Sequence, residues 1–385
     1  MHTSRKLSSR KPFLMTALAS SIILTGCGGD DSDSSSNSNN TPDNSDKNWQ
    51  SLQVNAADYV AWKYVSLTDG KVLELNDAAA ATSTDWHLAF RRSAVKLNGG
   101  VSGLGKVAGA LADAQAEFYS DDKPSASVFT NVNADTEAAA LDVAYDVAAL
   151  TLSKDTYQHA FDDFYSYNPQ THQISAKTDT FWMLRHADGQ TYSKLTIDAL
   201  SYGNVTLNYV TQAADTSQFA ATEHTLTAAF AEGQTRLCLD LDTKIAVDCS
   251  STADSWDLMY EVNTAQRITR MWMNGGVEGN GNAGAFGNLG VADKDNYTSA
   301  TDSNGQDISR HYSTDSSRSV FAEHSWYAYN LSGQHKLLPN FRTYLIDLDN
   351  DDSGSAQYTV QIVNYYSLGA SGSPEIRFQP LNRGN

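Results

Sequence analysis

The sequence is short of cysteine, proline and basic residues, and each shortage narrows the classes of protein to consider. Only 3 cysteines and 7 prolines occur in 385 residues, and 27 lysines and arginines stand against 45 aspartates and glutamates. Scarce proline suits half-buried β-strands, because proline removes a ladder hydrogen bond. The basic residues form no cluster that would bind phosphates, so nucleic acid is excluded as a partner. The net charge of −18 instead predicts a non-sticky surface.

Signatures of catalysis and of cofactor chemistry are also missing. The chain has no G-x-S-x-G elbow, no H-E-x-x-H pair and no nucleophilic cysteine, so we predict that it is not an enzyme. Two glycine-rich loops lack the strand–helix–strand context of a nucleotide site, and their glycines predict tight packing at β-corners. The acidic run at Asp349, Asp351 and Asp352 lacks the glycine and terminal glutamate of an EF-hand loop, which argues against calcium there.

The first 50 residues have the pattern of a bacterial lipoprotein leader followed by a spacer. The apolar run at 13–24 follows four basic residues and is too short to span a bilayer comfortably. It ends in the lipobox Leu24-Thr-Gly-Cys27, so residues 1–27 are predicted to be a signal peptide with its lipobox, and Cys27 the lipid-bearing residue. Residues 28–50 are polar and of low complexity, which predicts a disordered linker. Because Gly28 follows the cysteine, we expect a protein that the lipid anchors to the outer membrane, on its periplasmic or its surface face.

An eight-residue stretch occurs twice in the chain. Asn98-Gly-Gly-Val-Ser-Gly-Leu-Gly105 recurs as Asn274-Gly-Gly-Val-Glu-Gly-Asn-Gly281, with six identical positions. Aromatic segments repeat around it in the same order, at 86–90 and 256–260 and again at 164–168 and 326–330. The period is too long for a solenoid, so the repeat predicts two tandem homologous domains, at residues 58–212 and 224–381.

Each domain is predicted to be all-β, mainly antiparallel with minor helix. Apolar and polar residues alternate with period 2, and turn signals such as Thr68-Asp69-Gly70 separate the runs. Alanine-rich stretches at 104–118 and 135–150 predict two short helices. The clearest alternating runs are 61–67, 194–198, 205–209 and 358–365.

Two cysteines remain beyond the leader, at Cys238 and Cys249. The residues between them alternate around the turn Asp242-Thr243-Lys244, which predicts a β-hairpin. Cysteines that face each other across a hairpin in an oxidising compartment should form a disulfide. A metal site would need further ligands nearby, and the sequence offers none.

Motifs along the first block resemble those of one family, and the second block repeats part of the pattern. In the second block the matching segments are 326–330, His335, 343–346 and 358–366. The first-block motifs are Trp62-Lys-Tyr-Val-Ser-Leu67, Asp85-Trp-His-Leu-Ala-Phe-Arg-Arg92, the glycine loop, Tyr165-Ser-Tyr-Asn-Pro-Gln-Thr-His172 and Phe181-Trp-Met-Leu-Arg-His-Ala-Asp-Gly189. Together the motifs of both blocks are similar to those of the HmuY family of bacterial haem-capturing lipoproteins, which usually have one domain per chain.

The resemblance implies that the chain binds haem b, a flat apolar ring with two carboxylates whose iron takes axial side chains. Histidine is the commonest axial donor, and the resemblance places two axial residues between the glycine loop and the closing hairpin of a block. The candidates are His159 and His172 in the first block, and His311, His324 and His335 in the second. Three candidates for two positions favour the second block, although each histidine also has an ordinary structural role available.

The resemblance further implies a carrier that passes unaltered haem to a TonB-dependent outer-membrane receptor and touches the membrane only through its lipid. Whether one copy or both bind haem stays open. Two other interpretations remain. Aromatic-rich β domains also bind sugars by stacking, which would make the chain a glycan-binding or adhesion lipoprotein. A third interpretation is capture of another iron or corrin ligand.

Overall fold

The computed structural model describes residues 48–250, 255–303 and 306–383, which lie within one compact unit, Asn48–Asn385. The predicted signal peptide with Cys27 and almost all of the predicted linker fall outside these residues. The last linker residue, Gln50, already begins a β-strand, so the linker prediction extends too far there. In the described ranges no helix has the length and apolar character needed to cross a membrane.

Antiparallel β-strands make up most of the fold, as the alternation predicts. The first block of sequence contains β1 (Gln50–Gln53), β2 (Lys63–Ser66), β3 (Lys71–Leu73), β4 (Leu88–Arg91), β5 (Ala94–Leu97), β6 (Ala108–Asp113), β7 (Tyr119–Ser120), β8 (Lys123–Pro124), β9 (Thr156–Gln158), β10 (Tyr165–Asn168), β11 (Gln173–Ala176), β12 (Thr180–Arg185), β13 (Tyr192–Leu200) and β14 (Asn204–Gln212). The second block contains β15 (His224–Ala229), β16 (Arg236–Asp240), β17 (Ile245–Val247), β18 (Leu258–Asn263), β19 (Ile268–Met273), β20 (Gly284–Gly290), β21 (Asp302–Ser303), β22 (Gln306–Asp307), β23 (Ser316–Arg318), β24 (Tyr327–Tyr329), β25 (Leu337–Pro339), β26 (Thr343–Asp347), β27 (Gln357–Asn364) and β28 (Glu375–Pro380).

Helix is minor and short. The helix predicted over 104–118 is wrong for residues 108–113, which form β6 and pair with β26, and only Ala116–Phe118 forms a 3-10 helix. The pairing with β26 overrides the helix propensity of alanine. The helix predicted over 135–150 is present only as two short 3-10 helices. The α-helices are α1 (Asp77–Ala80), α2 (Ala126–Asn131) and α3 (Val320–Glu323), and the 3-10 helices are Ala116–Phe118, Ala138–Asp142, Val147–Ala149, Val291–Asn296 and Ser309–His311.

Two lobes of the same design contain most of the strands. Lobe 1 consists of β1–β6 and β26–β28, and has a five-stranded sheet in the order β1-β28-β27-β26-β6 and a four-stranded sheet in the order β3-β2-β4-β5. Lobe 2 consists of β12–β20, with sheets in the orders β15-β14-β13-β12-β20 and β17-β16-β18-β19. Each pair of sheets encloses its own apolar core, which includes Leu88, Phe90, Tyr344, Ile346, Val360 and Phe378 in lobe 1, and Trp182, Leu195, Leu207, Leu239, Tyr260 and Met271 in lobe 2.

The two sequence blocks exchange strands between the lobes. The first block's β6 pairs with the second block's β26, and β12 of the first pairs with β20 of the second. The chain crosses at β9 and β23, which pair with each other, and beyond the crossing Phe161 packs in lobe 2 and Phe321 in lobe 1. The predicted boundaries, 58–212 and 224–381, are therefore corrected: each lobe combines strands from both blocks.

The repeat could not reveal this exchange. A repeat shows which strands are equivalent, but not which copy each strand pairs with. Strands from either block present equivalent edges and apolar faces, so exchange within one chain costs little, as it does when identical protomers swap an element. Lobe 2 is continuous in sequence and is inserted between the two parts of lobe 1.

The glycine-rich loops wrap around a buried asparagine in each lobe. The Asn98 amide donates to the carbonyls of Ser83 and Trp86 at 3.0 and 2.8 Å, and its Oδ1 accepts from Gly105 N–H at 3.0 Å. A Cβ at Gly103 would lie 2.0 Å from Asn98 Oδ1, so a side chain does not fit there. The second-block loop has the same geometry around Asn274. Both loops are packing elements at β-corners, as predicted.

The predicted disulfide is confirmed. Cys238 on β16 and Cys249, just beyond β17, are bonded, with 5.2 Å between their Cα atoms. The buried Cys238 packs with Trp256 and Trp272, so the bond anchors the edge of the four-stranded sheet of lobe 2.

Candidate functional site

The five candidate histidines lie in separate surroundings, and in the described ranges no ring contact joins any two of them. His311 ends a 3-10 helix and stacks on Phe286 of lobe 2 at 5.1 Å. His324 follows α3, and its carbonyl accepts a hydrogen bond from the Tyr344 hydroxyl in lobe 1. The second-block histidines therefore do not converge on one position.

His159 lies against the outer face of lobe 2. Its ring meets the Trp272 ring edge-on, with 4.5 Å between centroids, and its Nδ1 is 3.9 Å from Asp315 Oδ1. Burial, followed by the Arg270 charge, lowers the pKa of His159, so the imidazole is neutral at physiological pH. These contacts give His159 a packing role at the crossing of the chain.

His172 and His335 occupy equivalent turns and are both held by a tyrosine. The Tyr167 hydroxyl is 2.7 Å from His172 Nδ1 in the β10–β11 hairpin, and the Tyr329 hydroxyl is 2.8 Å from His335 Nδ1 in the β24–β25 hairpin. Both histidines are exposed and have positive φ, 56° and 55°. In each turn Nδ1 is engaged, and Nε2 is the nitrogen left for a ligand.

An open cavity of about 640 Å³ lies beside His172 in lobe 2. Its walls include three tyrosines, and at its rim stands the exposed Arg267 of the β18–β19 turn. Burial, followed by the neighbouring Tyr202, raises the pKa of Tyr165, so this phenol stays neutral at physiological pH. The lining residues are Tyr165, Tyr167, His172, Ile174, Tyr202, Thr264, Arg267, Ile268 and Thr269.

The corresponding groups of lobe 1 are already engaged by the protein itself. The Arg92 guanidinium lies 4.4 Å from the Tyr59 ring centroid and donates to the Ser371 carbonyl at 3.2 Å. The Tyr366 hydroxyl accepts from Leu337 N–H at 3.1 Å. Among the residues that the structure describes, the His335 side of the molecule therefore lacks the unpaired cation and the open tyrosine wall found beside His172.

A buried Ser–His–Asp arrangement in lobe 2 is structural rather than catalytic. Ser193 Oγ lies 2.7 Å from His186 Nε2, and Asp242 Oδ1 lies 2.9 Å from His186 Nδ1. Ser193 and His186 are fully buried, so no substrate reaches the hydroxyl. Burial lowers the pKa of His186, but the Asp242 hydrogen bond and the charge of Asp257 outweigh it and leave that pKa raised. The cluster therefore places the His186 imidazole between the carboxyl groups of Asp242 and Asp257, whose oxygens lie 2.9 and 3.7 Å from Nδ1.

Comparison with known proteins finds a family model that matches part of this chain. Residues 58–213 match the model described as HmuY protein. Among solved structures, a protein from Bacteroides vulgatus ATCC 8482 described as HmuY-like and haem-binding has 10% identity and a TM-score of 0.27, over 88% of this chain and 93% of its own. No curated protein matches the chain.

The HmuY segment ends just after β14, so it contributes strands to both lobes. Within it, the sequence pointed to His172 but not to Tyr202. Arg267, from the second block, was missed altogether. The repeat carries a signal for it, because Arg92 and Arg267 occupy equivalent turns with φ of 55° and 57°. The strand exchange is what brings the second-block Arg267 to the first-block histidine.

Proposed function

We propose that this chain is a non-enzymatic haem-binding protein and that haem occupies the cavity beside His172 in lobe 2. The observation that carries the proposal is the tyrosine-held His172 at the wall of an open, tyrosine-lined cavity with the free cation of Arg267 at its rim. The match of residues 58–213 to the HmuY family model supports haem as the ligand.

His172 supplies one axial nitrogen. When Nε2 binds iron, Nδ1 carries the proton and donates it to the Tyr167 oxygen, which fixes the tautomer and the orientation of the ring. Among the lining residues that the structure describes, His172 is the one histidine, so the opposite face of the iron falls to a tyrosine oxygen or to water.

The remaining walls suit a porphyrin. The Tyr165 and Tyr202 rings, with Ile174 and Ile268, offer apolar contact to a flat ring. The Arg267 guanidinium is placed to form a charge-assisted pair with a propionate. Because the equivalent groups of lobe 1 are engaged internally, we expect one haem per chain.

The carrier role follows from the leader and from the absence of recognisable catalytic chemistry. The lipobox supports a lipid on Cys27 and a location on the outer membrane. A bound haem held without a reaction suits delivery to a TonB-dependent outer-membrane receptor, and we propose that receptor as the partner.

Hemin titration of the full chain tests the site with a matched pair of variants. His172→Ala and His335→Ala remove equivalent exposed histidines, each held by one tyrosine. We expect His172→Ala to lose the histidine-ligated Soret band and to weaken binding by about 10-fold or more, and His335→Ala to behave as the parent. Tyr167→Phe should weaken binding by about 10-fold, since partners that orient a ligand typically contribute this much. Equal behaviour of the two histidine variants would refute the assignment.

A further inference from the structure

A second cavity, of about 680 Å³, opens where the chain crosses between the lobes. The first block contributes Trp62, Lys96 and Tyr157 to its walls, and the second contributes Ser316 and Tyr327. Strands β9 and β23, which pair only because the blocks cross, lie at its border. The cavity therefore requires both blocks and is distinct from the cavity beside His172.

Two cations share one aromatic ring at this cavity. The Arg91 guanidinium carbon and the Lys96 ammonium each lie 4.5 Å from the centroid of the Trp62 ring. The Lys96 ammonium is also 5.3 Å from the Tyr64 ring and 5.4 Å from the Trp86 ring. Aromatic faces attract a cation but accept none of the hydrogen bonds that an ammonium donates in water.

The two cations have no ion-pair partner in the described part of the chain. The charges of Asp77 and Asp155 act on Lys96, but Asp77 already accepts from the Tyr64 hydroxyl at 2.9 Å and Asp155 from Leu97 N–H at 3.0 Å. Burial lowers the pKa of Lys96, and the like charge of Arg91 lowers it further. An anion in the cavity would relieve this repulsion, even though the chain as a whole is acidic.

The other lining residues indicate which further chemical groups the ligand carries. Four serines, Ser93, Ser102, Ser316 and Ser317, are among the lining residues, and serine hydroxyls form hydrogen bonds with the hydroxyls of a ligand. Asp315 also lines the cavity, and its two carboxylate oxygens already accept from the N–H groups of Ala160 at 2.8 Å and Met273 at 2.7 Å. The rings of Tyr157 and Tyr327 offer stacking faces. We infer that this cavity is a binding site for an acidic sugar, whose carboxylate meets Arg91 and Lys96 and whose hydroxyls meet the serines.

Calorimetric titration of the full chain with D-glucuronate, D-glucose and acetate tests the inference. Glucuronate should bind, and glucose and acetate should bind at least about 10-fold more weakly, because each lacks part of the complementary chemistry. Binding of acetate as tight as that of glucuronate would leave only a simple anion site and overturn the inference. Equal binding of glucose, or no binding of glucuronate, would overturn it as well.

Substitution then locates the site. Lys96→Met keeps the apolar stem among the rings and removes the charge, so it should weaken glucuronate binding by about 10-fold or more. Lys71→Met removes an exposed lysine paired with Asp69, and it should leave binding unchanged. If Lys96→Met melts early, the half-exposed Arg91→Gln replaces it as the test, and unchanged affinity in that variant refutes the site.

A glucuronate-containing disaccharide separates the two sources of such a ligand. Tighter binding of the disaccharide than of the monosaccharide assigns the site to the end of a glycan chain. Equal affinities assign it to the free sugar acid. Both results support the recognition of an acidic sugar.

Discussion

Asn98 is the residue whose removal tests the packing of the lobes most sharply. It is fully buried at the centre of the first glycine-rich loop and makes three hydrogen bonds to the backbone. Asn98→Ala leaves the carbonyls of Ser83 and Trp86 and the N–H of Gly105 without this partner. The Trp86 bond is buried and the other two are half-buried, so we assign about 1–3 kcal/mol to the first and about 0.5–1 kcal/mol to each of the others.

The variant should therefore lose about 2–5 kcal/mol of unfolding free energy in lobe 1, measured by urea denaturation followed by tryptophan fluorescence. Asn204→Ala, which changes an exposed asparagine at the start of β14, is the control and should stay within about 0.5 kcal/mol of the parent. A loss below about 1 kcal/mol for Asn98→Ala would refute the reasoning.

Gly103 supplies an independent check of the same loop. Gly103→Ala places a methyl group 2.0 Å from Asn98 Oδ1 and 2.9 Å from Trp86 Cζ2, and it should destabilise lobe 1 on its own. In the double variant Asn98→Ala/Gly103→Ala the clash with Oδ1 is gone. The losses of unfolding free energy in the two single variants should therefore sum to more than the loss measured in the double variant. Strict additivity would contradict the contact.

Three further predictions concern the crossing, the disulfide and pH. Thr156 and Arg318 face each other in the β9–β23 pair, so the double variant Thr156→Cys/Arg318→Cys should form a disulfide, detected by mass spectrometry without reduction. Two free thiols would contradict the crossing. Replacing Cys238 and Cys249 by serine should cost lobe 2 about 2–3 kcal/mol in urea denaturation, given their separation of 11 residues, and an unchanged midpoint would contradict this. Burial raises the pKa of Asp155 from 3.8 to about 7. The folded pKa exceeds the unfolded one, so this group's contribution to stability is present below pH 3.8 and is lost as the pH rises through 7. Asp155→Asn should therefore reduce the fall in unfolding free energy over this pH range. An unaltered pH profile of stability in the variant would contradict the prediction.

Local pattern was enough to predict the strands and the disulfide. The alternating runs at 194–198 and 205–209 lie within β13 and β14, and Cys238 and Cys249 are bonded across the predicted hairpin. These features depend on neighbours in sequence, which is the range over which periodicity carries information.

The pairing between strands that are distant in sequence could not be predicted. Alanine-rich β6 became a strand because β26 offered it an edge, and that edge belongs to the other sequence block. The same exchange decides the candidate site, since Arg267 of the second block joins His172 of the first. Counting histidines favoured the second block, whereas the geometry favours His172, because Arg92 and Tyr366 of the equivalent lobe 1 turns are engaged internally. Whether such side chains are engaged by other groups of the protein depends on tertiary packing, which a single sequence does not reveal.

The most direct test of the haem proposal is the position of iron in crystals of the full chain grown with hemin, measured by anomalous scattering at the iron edge. The proposal predicts one iron per chain, bonded to His172 Nε2, with a propionate at Arg267. Iron at His335, at the crossing cavity, or at two positions per chain would contradict it.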